Sequence, residues 1–505
     1  MKNNTPSRKK AFLTQATGGY ILTAIAMIKG LFLLPIYFKF ISYELYGYWV
    51  TIGSIVTLIS VINFGISTMT MQRISKSYAE KDFQAIGDYF INSNIIYILI
   101  SLVFLFLAYI CSYWLQDLLN VSDENLILLN QVYWIAVATM VFSFFATSFR
   151  GFSQALLQPL VGVYIMVFSN VFGICLVVFL LYSDIGLLSI AISLFITELL
   201  IVILCGLYVC VLYKRLIITS SIKKTILKEY ISFSPHLFGY TIGNNILNNS
   251  HPIIITTILG AELTTAYDVT RKVIDIVLSM LNVFNSSLLG PFSHLVGEGN
   301  KEKIKQITLK IIIGSFLVGL LGYSIYMASN HTFVSLWIGE DIVLEQHVIM
   351  ALGFSALAFS MTRLSRSILF GLNEIQYATN IVFIEGVGYF LLAVLLTNFI
   401  GVIGVPIAFF SISFCVAIRL INRICKIVDI KIENIVVIKL SIMIALILSY
   451  LEISYKIFSQ VSWLFFIFNI IASFIVVLGL MKILKPKYFN IKMFYEILLR
   501  RRNAR

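Results

Sequence analysis

The sequence predicts an all-α polytopic membrane protein of about fourteen transmembrane helices, built as two parallel six-helix lobes with a C-terminal helix pair. Three observations predict it. Apolar residues make up 59% of the chain and charged residues 12%, more apolar surface than one water-soluble core uses, since such cores stop growing near ~250–300 residues. The apolar residues come as long runs that reach the roughly 20 residues a membrane-crossing helix needs. Between the runs, 26 Lys and Arg residues fall in one set of alternate gaps and tails, and Lys456 alone falls in the other. That asymmetry orients a multi-span protein with its basic loops in the cytoplasm.

The first run, 18–41, follows the basic Arg8, Lys9 and Lys10 but shows no small-residue cleavage site, so it reads as a retained helix and not a signal peptide. Further spans follow near 47–71, 89–114, 130–152, 160–183 and 186–212. The longest inside loop, 213–233, carries five basic residues. Beyond it lie 234–259, 263–291, 307–329, 347–371, 376–399 and 402–422, then a last pair at 435–453 and 461–481. An even number of spans returns both termini to the cytoplasm, and the charge of every gap agrees. The expected domains are therefore an N-lobe over 1–212, a cytoplasmic linker over 213–233, a C-lobe over 234–425, and a C-terminal pair with a basic tail over 426–505.

An echo supports the lobes. Tyr46-Gly47 opens span two and Tyr267-Asp268 opens span eight; the inner end of one runs into Lys81–Ile86 and of the other into Glu302–Ile307, with an offset of 221 residues at both ends. Both spans run outside to inside, which makes the lobes parallel repeats about an axis along the membrane normal.

Several function classes fall away. The +13 net charge is spread over short loops and tails, which suits anionic lipid headgroups and not nucleic acid. The six cysteines form no CxxC, so neither a disulfide framework nor a metal site is expected. No P-loop, HExxH or GxSxG is present, and no gap between spans exceeds about 25 residues. An enzyme with a soluble catalytic domain is therefore not expected, and neither a catalytic residue nor a cofactor is assigned.

Some charges lie too deep to reach the interface. Lys29, Arg271 and Lys272 are each about ten residues from a span end, about 15 Å at helical rise. A mid-bilayer cation costs about 2.5–3.5 kcal/mol on the lenient scale, so it usually faces a cavity. Asp268 and Lys272 are spaced i,i+4, as are Arg271 and Asp275, so both pairs can close on one helix. The cluster is either self-neutralised and structural or a cavity lining whose adjacent cations meet a pyrophosphate, arginine as a fork and lysine as a point charge. Lys29 either joins that site from the other lobe or bonds helix carbonyls. Tyr240, Asn244, Asn248 and His251 share a face of span seven, as interhelical glue or as a wall for sugar hydroxyls. His251 precedes Pro252 near the outer end and reads as a boundary residue. Glu198 and Glu385 are mid-depth acids, candidates for ion coupling or for pairing with a neighbouring cation. Lys39, Arg150, Lys310, Arg363, Arg366, Arg419 and Lys439 lie nearer span ends, where they can snorkel.

The motifs resemble a known family. Glu44-Leu45-Tyr46-Gly47-Tyr48-Trp49, Asn63-Phe64-Gly65-Ile66 before Gln72-Arg73-Ile74, Arg150-Gly151-Phe152-Ser153-Gln154-Ala155, Ser234-Pro235, Ala266-Tyr267, Gly371-Leu372-Asn373 and Gly401-Val402-Ile403-Gly404-Val405-Pro406 are similar, in order and spacing, to bacterial polysaccharide exporters. The resemblance covers roughly 10–425. It points to the O-antigen and capsule lipid-carrier flippases, in the superfamily that also holds multidrug exporters and the peptidoglycan-precursor flippase. It implies a two-lobed alternating-access protein of the bacterial inner membrane. The implied cargo is an undecaprenyl-pyrophosphate-linked oligosaccharide moved to the periplasmic leaflet, with H+ or Na+ resetting the cycle. Cavity cations would hold the pyrophosphate; the peptidoglycan-precursor relatives favour arginine in the first helix, where this chain has Lys29. Contact with membrane lipids follows, and association with a polysaccharide polymerase and chain-length regulator is a further implication. A multidrug-type exporter on the same fold and a membrane-embedded polymerase are the competing readings.

Overall fold

The computed structural model of the chain describes residues 8–63, 65–121, 123–233, 235–430, 433–457 and 461–484. Ser234, Phe64 and Lys431, the side chains of Arg8, Lys9, Lys10, Pro235 and Pro291, and the basic tail beyond Leu484 lie outside the described residues. Every regular element among the described residues is helical.

The first unit, residues 1–265, holds α1 (Arg8–Phe40), α2 (Tyr43–Ile59), α3 (Ile66–Glu80), α4 (Phe83–Ser112), the short α5 (Leu115–Leu119), α6 (Asp123–Ala155), α7 (Pro159–Tyr182), α8 (Leu188–Leu216), α9 (Lys224–Phe233) and α10 (Pro235–Leu259). The second, 266–505, holds most of α11 (Ala261–Gly297), then α12 (Lys301–Trp337), α13 (Gln346–Gly371), α14 (Ile375–Ile400), α15 (Gly404–Val428), α16 (Asn434–Ile457) and α17 (Trp463–Leu484). Thirteen of the fourteen expected spans are single helices. Span two is not: α2 passes through a 3-10 turn, Ser60–Asn63, and Gly65 at φ +71° precedes α3. The apolar run passes through the break without interruption, and Gly65 is the one local mark of it.

Ten stretches of the described residues are both long and apolar enough to cross a bilayer, one of them, 375–428, covering α14 and α15 together. The span helices that fall short are α2, with 17 residues, the asparagine-rich α10 and the charged α11.

The two repeats are legible in the helix starts. α11 opens at Ala261 and α2 at Tyr43, α12 at Lys301 and α4 at Phe83, so both pairs of starts are 218 residues apart. The repeat register is therefore three residues shorter than the sequence echo at 221. Caps fix the starts of α4 and α12 in the same way. Asp82 accepts a hydrogen bond from Ala85 N at 2.9 Å at the head of α4, and Asn300 accepts one from Lys303 N at 3.1 Å at the head of α12. Each satisfies a backbone N–H that the first helical turn leaves open.

Each unit has an apolar core. In unit 1, Ile74, Ile86, Phe90, Phe152, Leu156 and Leu212 pack α3, α4, α6 and α8 together. In unit 2, Phe292, Ile304, Leu364, Leu369, Ile381 and Leu420 join α11 through α15. The C-terminal pair packs on α12 and is joined by polar contacts. Ser454 donates to Asn469 Oδ1 at 2.9 Å, and the Tyr450 and Ser473 hydroxyls meet at 3.0 Å. Phe106, Phe168, Phe179, Leu391, Phe399, Leu464 and Ile475 are exposed, as side chains facing lipid tails should be.

Candidate functional site

The charge cluster of α11 closes as its spacing predicts. Arg271 Nε donates to Asp275 Oδ1 at 3.3 Å, and Lys272 Nζ lies 2.9 Å from Asp268 Oδ2. The pairs differ in access. The Arg271 and Asp268 side chains are 15% and 14% exposed, Lys272 29% and Asp275 50%. The helix therefore presents a half-exposed carboxylate over a mostly covered guanidinium.

Arg271 forms part of the wall of a narrow cleft within unit 2, together with Tyr267, Ser355, Phe359, Tyr389 and Phe409. The aromatic rings support one another. Phe409 meets Phe359 at 5.0 Å between ring centroids and 61°, and Tyr389 at 4.8 Å and 87°. These are the edge-to-face arrangements that ring quadrupoles favour. Arg363 lies over the Phe359 ring at 4.9 Å. Tyr267 stands out in the sequence through the opening of span eight; Phe359, Tyr389 and Phe409 do not, because aromatics are 14% of the chain. Only the packing of the helices selects them.

Glu385, on α14, accepts from Arg366 Nη1 at 3.1 Å and from Ser413 Oγ at 2.8 Å. Arg366 Nη2 reaches Thr362 Oγ1 at 3.4 Å. The sequence places Arg366 within snorkelling reach of a span end; it is instead 4% exposed, beside a carboxylate that is fully covered. Its distance from Gly371 suggests reach, but the face it occupies points at α14 and α15. Of the two outcomes open for Glu385, this geometry is the paired one.

In unit 1 the sequence candidates Lys29 and Glu198 come within electrostatic reach of each other, and Arg150 joins them. Glu198 Oε2 is buried with no hydrogen-bond partner among the described residues. Lys29, half-buried on α1, makes no hydrogen bond or ion pair among them. Arg150 is held by Ala146 O at 3.2 Å, Thr147 Oγ1 at 3.1 Å and Met166 Sδ at 3.2 Å. Sequence position alone suggests snorkelling for Arg150; its guanidinium is instead occupied inside the unit.

On α10 the asparagine donors turn to their own helix. Asn248 Nδ2 donates to Asn244 O at 2.5 Å, Asn245 Nδ2 to Thr241 O at 2.9 Å, and Asn249 Nδ2 to Asn245 O at 3.3 Å. All four asparagine side chains remain half-buried. His251 is buried, 6% exposed, and so is not a boundary residue. The C-terminal end of α10 meets α2 through hydroxyls. Thr51 Oγ1 and Thr256 Oγ1 are 2.6 Å apart, Thr256 and Thr264 2.7 Å, and Thr265 Oγ1 donates to Tyr43 O at 2.5 Å. A Cβ on Gly47 would lie 1.9 Å from Ala261 O, so this approach requires glycine.

A family model described as a polysaccharide biosynthesis protein matches residues 16–296. The comparison with curated proteins finds no match. Among solved structures, the lipid II flippase MurJ in an inward closed conformation aligns with a TM-score of 0.71 at 14% identity, over 94% of this chain and 98% of that one. An inward-facing multidrug resistance MATE family transporter of the MOP superfamily aligns at 0.65 and 14% identity, over 83% of this chain and 98% of that one. A mutant of the Vibrio cholerae MATE transporter VcmN aligns at 0.53 and 16% identity, over 82% and 98%. At these identities the likeness carries the fold.

Proposed function

The chain belongs to the polysaccharide biosynthesis protein family, and from that premise we propose that it flips polyprenyl-pyrophosphate-linked oligosaccharide repeat units, of the undecaprenyl type, from the cytoplasmic to the periplasmic leaflet of the bacterial inner membrane. Repeat units of an O-antigen or a capsule are the cargo class. The observation that carries the reading is Arg271 in the wall of the unit 2 cleft, with Lys272 next to it on a membrane-spanning helix. Two adjacent cations suit a pyrophosphate better than any neutral or cationic cargo. The Asp275 carboxylate on Arg271 is half exposed, and an ion pair so open to solvent is worth little. An arriving phosphate can displace it, and the carboxylate returns to water. Asn248 supplies a side-chain carbonyl acceptor to sugar hydroxyls, since its amide donor stays on the helix, and Asn244 stands one turn before it.

In this reading the lobes divide at the 213–233 linker, both termini are cytoplasmic, and the protein works by alternating access without catalytic chemistry. The threonine ladder between α2, α10 and the start of α11 is then an outer seam that parts to release cargo. Glu198, beside Lys29 in unit 1, is the better placed of the two acids to exchange H+ or Na+, because Glu385 is already neutralised by Arg366. A second reading, an ion-coupled exporter of organic cations, draws on the unpartnered Glu198 oxygen.

Proteoliposomes separate the two. A short-chain polyprenyl-pyrophosphate saccharide should cross to the far leaflet with the protein present, and Arg271→Gln with Lys272→Gln should stop it. Since those changes strand Asp268 and Asp275, the control is the quadruple variant with Asp268→Asn and Asp275→Asn added, which leaves no orphan charge. A folded quadruple variant that still flips removes the cluster from the site. Translocation of a cationic dye with no movement of the saccharide lipid establishes the exporter.

A further inference from the structure

In the sidedness proposed above, α14 begins and α15 ends at the cytoplasmic face. We propose that Arg419, Tyr377 and Lys426, at that end of unit 2, hold the phosphate of an anionic phospholipid of the surrounding bilayer. The site lies apart from the charge cluster of α11 and does not depend on what the protein transports.

Arg419, Arg423 and Lys426 are spaced i, i+4 and i+7, so they share one stripe over the last turns of α15. The middle residue is already engaged. Arg423 Nη2 lies 3.1 and 2.9 Å from the two oxygens of Glu374, the N-cap residue of α14, and its guanidinium stands over the Tyr377 ring at 5.2 Å. The outer two are not. Arg419 and Lys426 are exposed, and among the described residues neither has a carboxylate within ion-pair distance. Asp429, three residues past Lys426, does not reach it. Arg419 Nε donates to Tyr377 Oη at 3.4 Å. That contact leaves both Nη groups of Arg419 and the Tyr377 hydroxyl proton to donate to an anion.

The depth and the neighbours select a lipid. The stripe straddles the expected end of span twelve at residue 422, which is headgroup level. One to two turns deeper, Phe414, Cys415 and Ile418 on α15 and Phe383 and Ile384 on α14 are exposed, a surface for acyl chains. A phospholipid satisfies both parts at once, and a soluble anion only the charged one. The guanidinium is a weakly hydrated fork that matches phosphate oxygens, and the lysine adds a point charge beside it. Basic groups at the cytoplasmic ends of membrane helices attract anionic headgroups.

The first unit shows that the fold does not require these charges. Gln158 heads α7 as Glu374 heads α14, each after a residue of positive φ, Leu157 at +58° and Asn373 at +63°. Tyr208 on α8 takes the part of Arg423 and donates to Gln158 Oε1 at 2.7 Å. The same helix junction is thus closed by a neutral pair. The positions that match Arg419 and Lys426, four before and three after Tyr208, are Leu204 and Val211. Basic residues follow only at Lys214 and Arg215, past that level. A structural role for the stripe would call for it in both units.

The test uses the full-length protein in vesicles and the native Cys415, which is exposed one turn deeper than Arg419. With the other five cysteines replaced, a bimane on Cys415 reports quenching by lipids with brominated chains. Competing brominated phosphatidylglycerol against brominated phosphatidylcholine gives a relative binding constant. It should favour phosphatidylglycerol by about fivefold, the order expected of one or two cations at a membrane surface. Bimane on Cys175 alone, exposed on α7 of unit 1, should give a ratio near one. Arg419→Gln with Lys426→Gln should bring the Cys415 ratio to near one as well. Both side chains are exposed and Arg423 keeps Glu374, so this variant leaves the packing intact. Arg419→Lys should give an intermediate ratio, since it keeps the charge and loses the fork. Equal ratios at Cys415 and Cys175 in the unaltered protein, or a Cys415 ratio that survives the double substitution, overturns the site. Loss of the preference on adding millimolar inorganic phosphate at constant ionic strength also overturns it, and assigns the cluster to a soluble anion.

Discussion

Arg366 and Glu385 illustrate what a single residue contributes to this fold. Both are nearly or fully covered, and the carboxylate is completed by Ser413 while the guanidinium is completed by Thr362. A buried pair of this kind need not stabilise relative to apolar residues, but removing one partner leaves a charge that nothing offsets, typically about 3–5 kcal/mol. Arg366→Met alone should therefore lower the unfolding midpoint of the purified protein strongly, and Glu385→Gln alone less so, because the amide still accepts from Arg366. The double variant should recover most of the loss, giving a coupling energy well above 1 kcal/mol in a thermal or denaturant cycle. Additive losses would show that the two do not act as a pair. The same residues mark the limit of sequence reading at this scale. Asp268, Arg271, Lys272 and Asp275 were legible as pairs because all four lie on one helix at i,i+4. Arg366 and Glu385 were not, because their contact crosses between helices and spacing along one chain segment carries no signal for it.

At the scale of elements, the segment after α8 shows how a loop becomes structure. Residues 217–223 cross the head of α4 within unit 1. Asp88, fully covered, accepts from Ser221 N at 2.6 Å and Ser221 Oγ at 2.9 Å, and pairs with Lys223 Nζ at 2.5 Å. Asn92 donates to Ser221 O at 3.0 Å and accepts from Lys223 N at 3.1 Å. Gly87 permits the approach, since a Cβ there would fall 2.0 Å from Thr219 O. Farther on, Thr70 and Tyr230 share a hydrogen bond of 2.8 Å, and Arg73 pairs with Glu229. A basic loop that reads in sequence as a cytoplasmic linker is thus strapped to the C-terminal half of α3 and the head of α4. Asp88→Asn keeps one acceptor, loses the charge, and sets an amide donor against Lys223. Hydrogen exchange at 217–223 should rise by at least tenfold in that variant while the cores of α6 and α8 stay protected. Unchanged exchange would mean the strap is held by its apolar contacts alone. The hydrogen bond and charge of Asp88 hold the Lys223 ammonium above its ordinary value. The folded value is the higher one, so this contribution is fully present at neutral pH and is lost only as pH rises through and beyond the ordinary lysine range. The span boundaries were readable from hydropathy, and this strap was not, because its information lies in short polar side chains whose partners are more than 100 residues away.

For the whole molecule, charge distribution carries more than composition does. Hydropathy taken alone finds ten crossing stretches among the described residues; it misses α2 because that helix stops at 17 residues, and α10 and α11 because polar and charged side chains interrupt them. The alternation of basic and acidic gaps does not depend on how apolar any one helix is, so it keeps the count through those three. Losing α10 alone would invert every later gap, setting the basic residues of 301–305 and 423–426 outside and the acids Glu340 and Asp341 inside, against the rule that orients the first six spans. The fold supplies helices for about fourteen spans, and the sidedness follows as the prediction that tests the reading of the chain from end to end. Single cysteines placed at Asn120, Gly260 and Glu340, in a background where the six native cysteines are replaced by alanine or serine, should react with a membrane-impermeant maleimide added to intact cells. Cysteines at Ser220, Asn300 and Ile430 should react only after the membrane is opened. Gly260 and Asn300 are the decisive pair, since they bracket α11, the most highly charged span. Labelling on the same side at both positions would mean that α11 does not cross the membrane, and would take Arg271 and Lys272 out of any transport path.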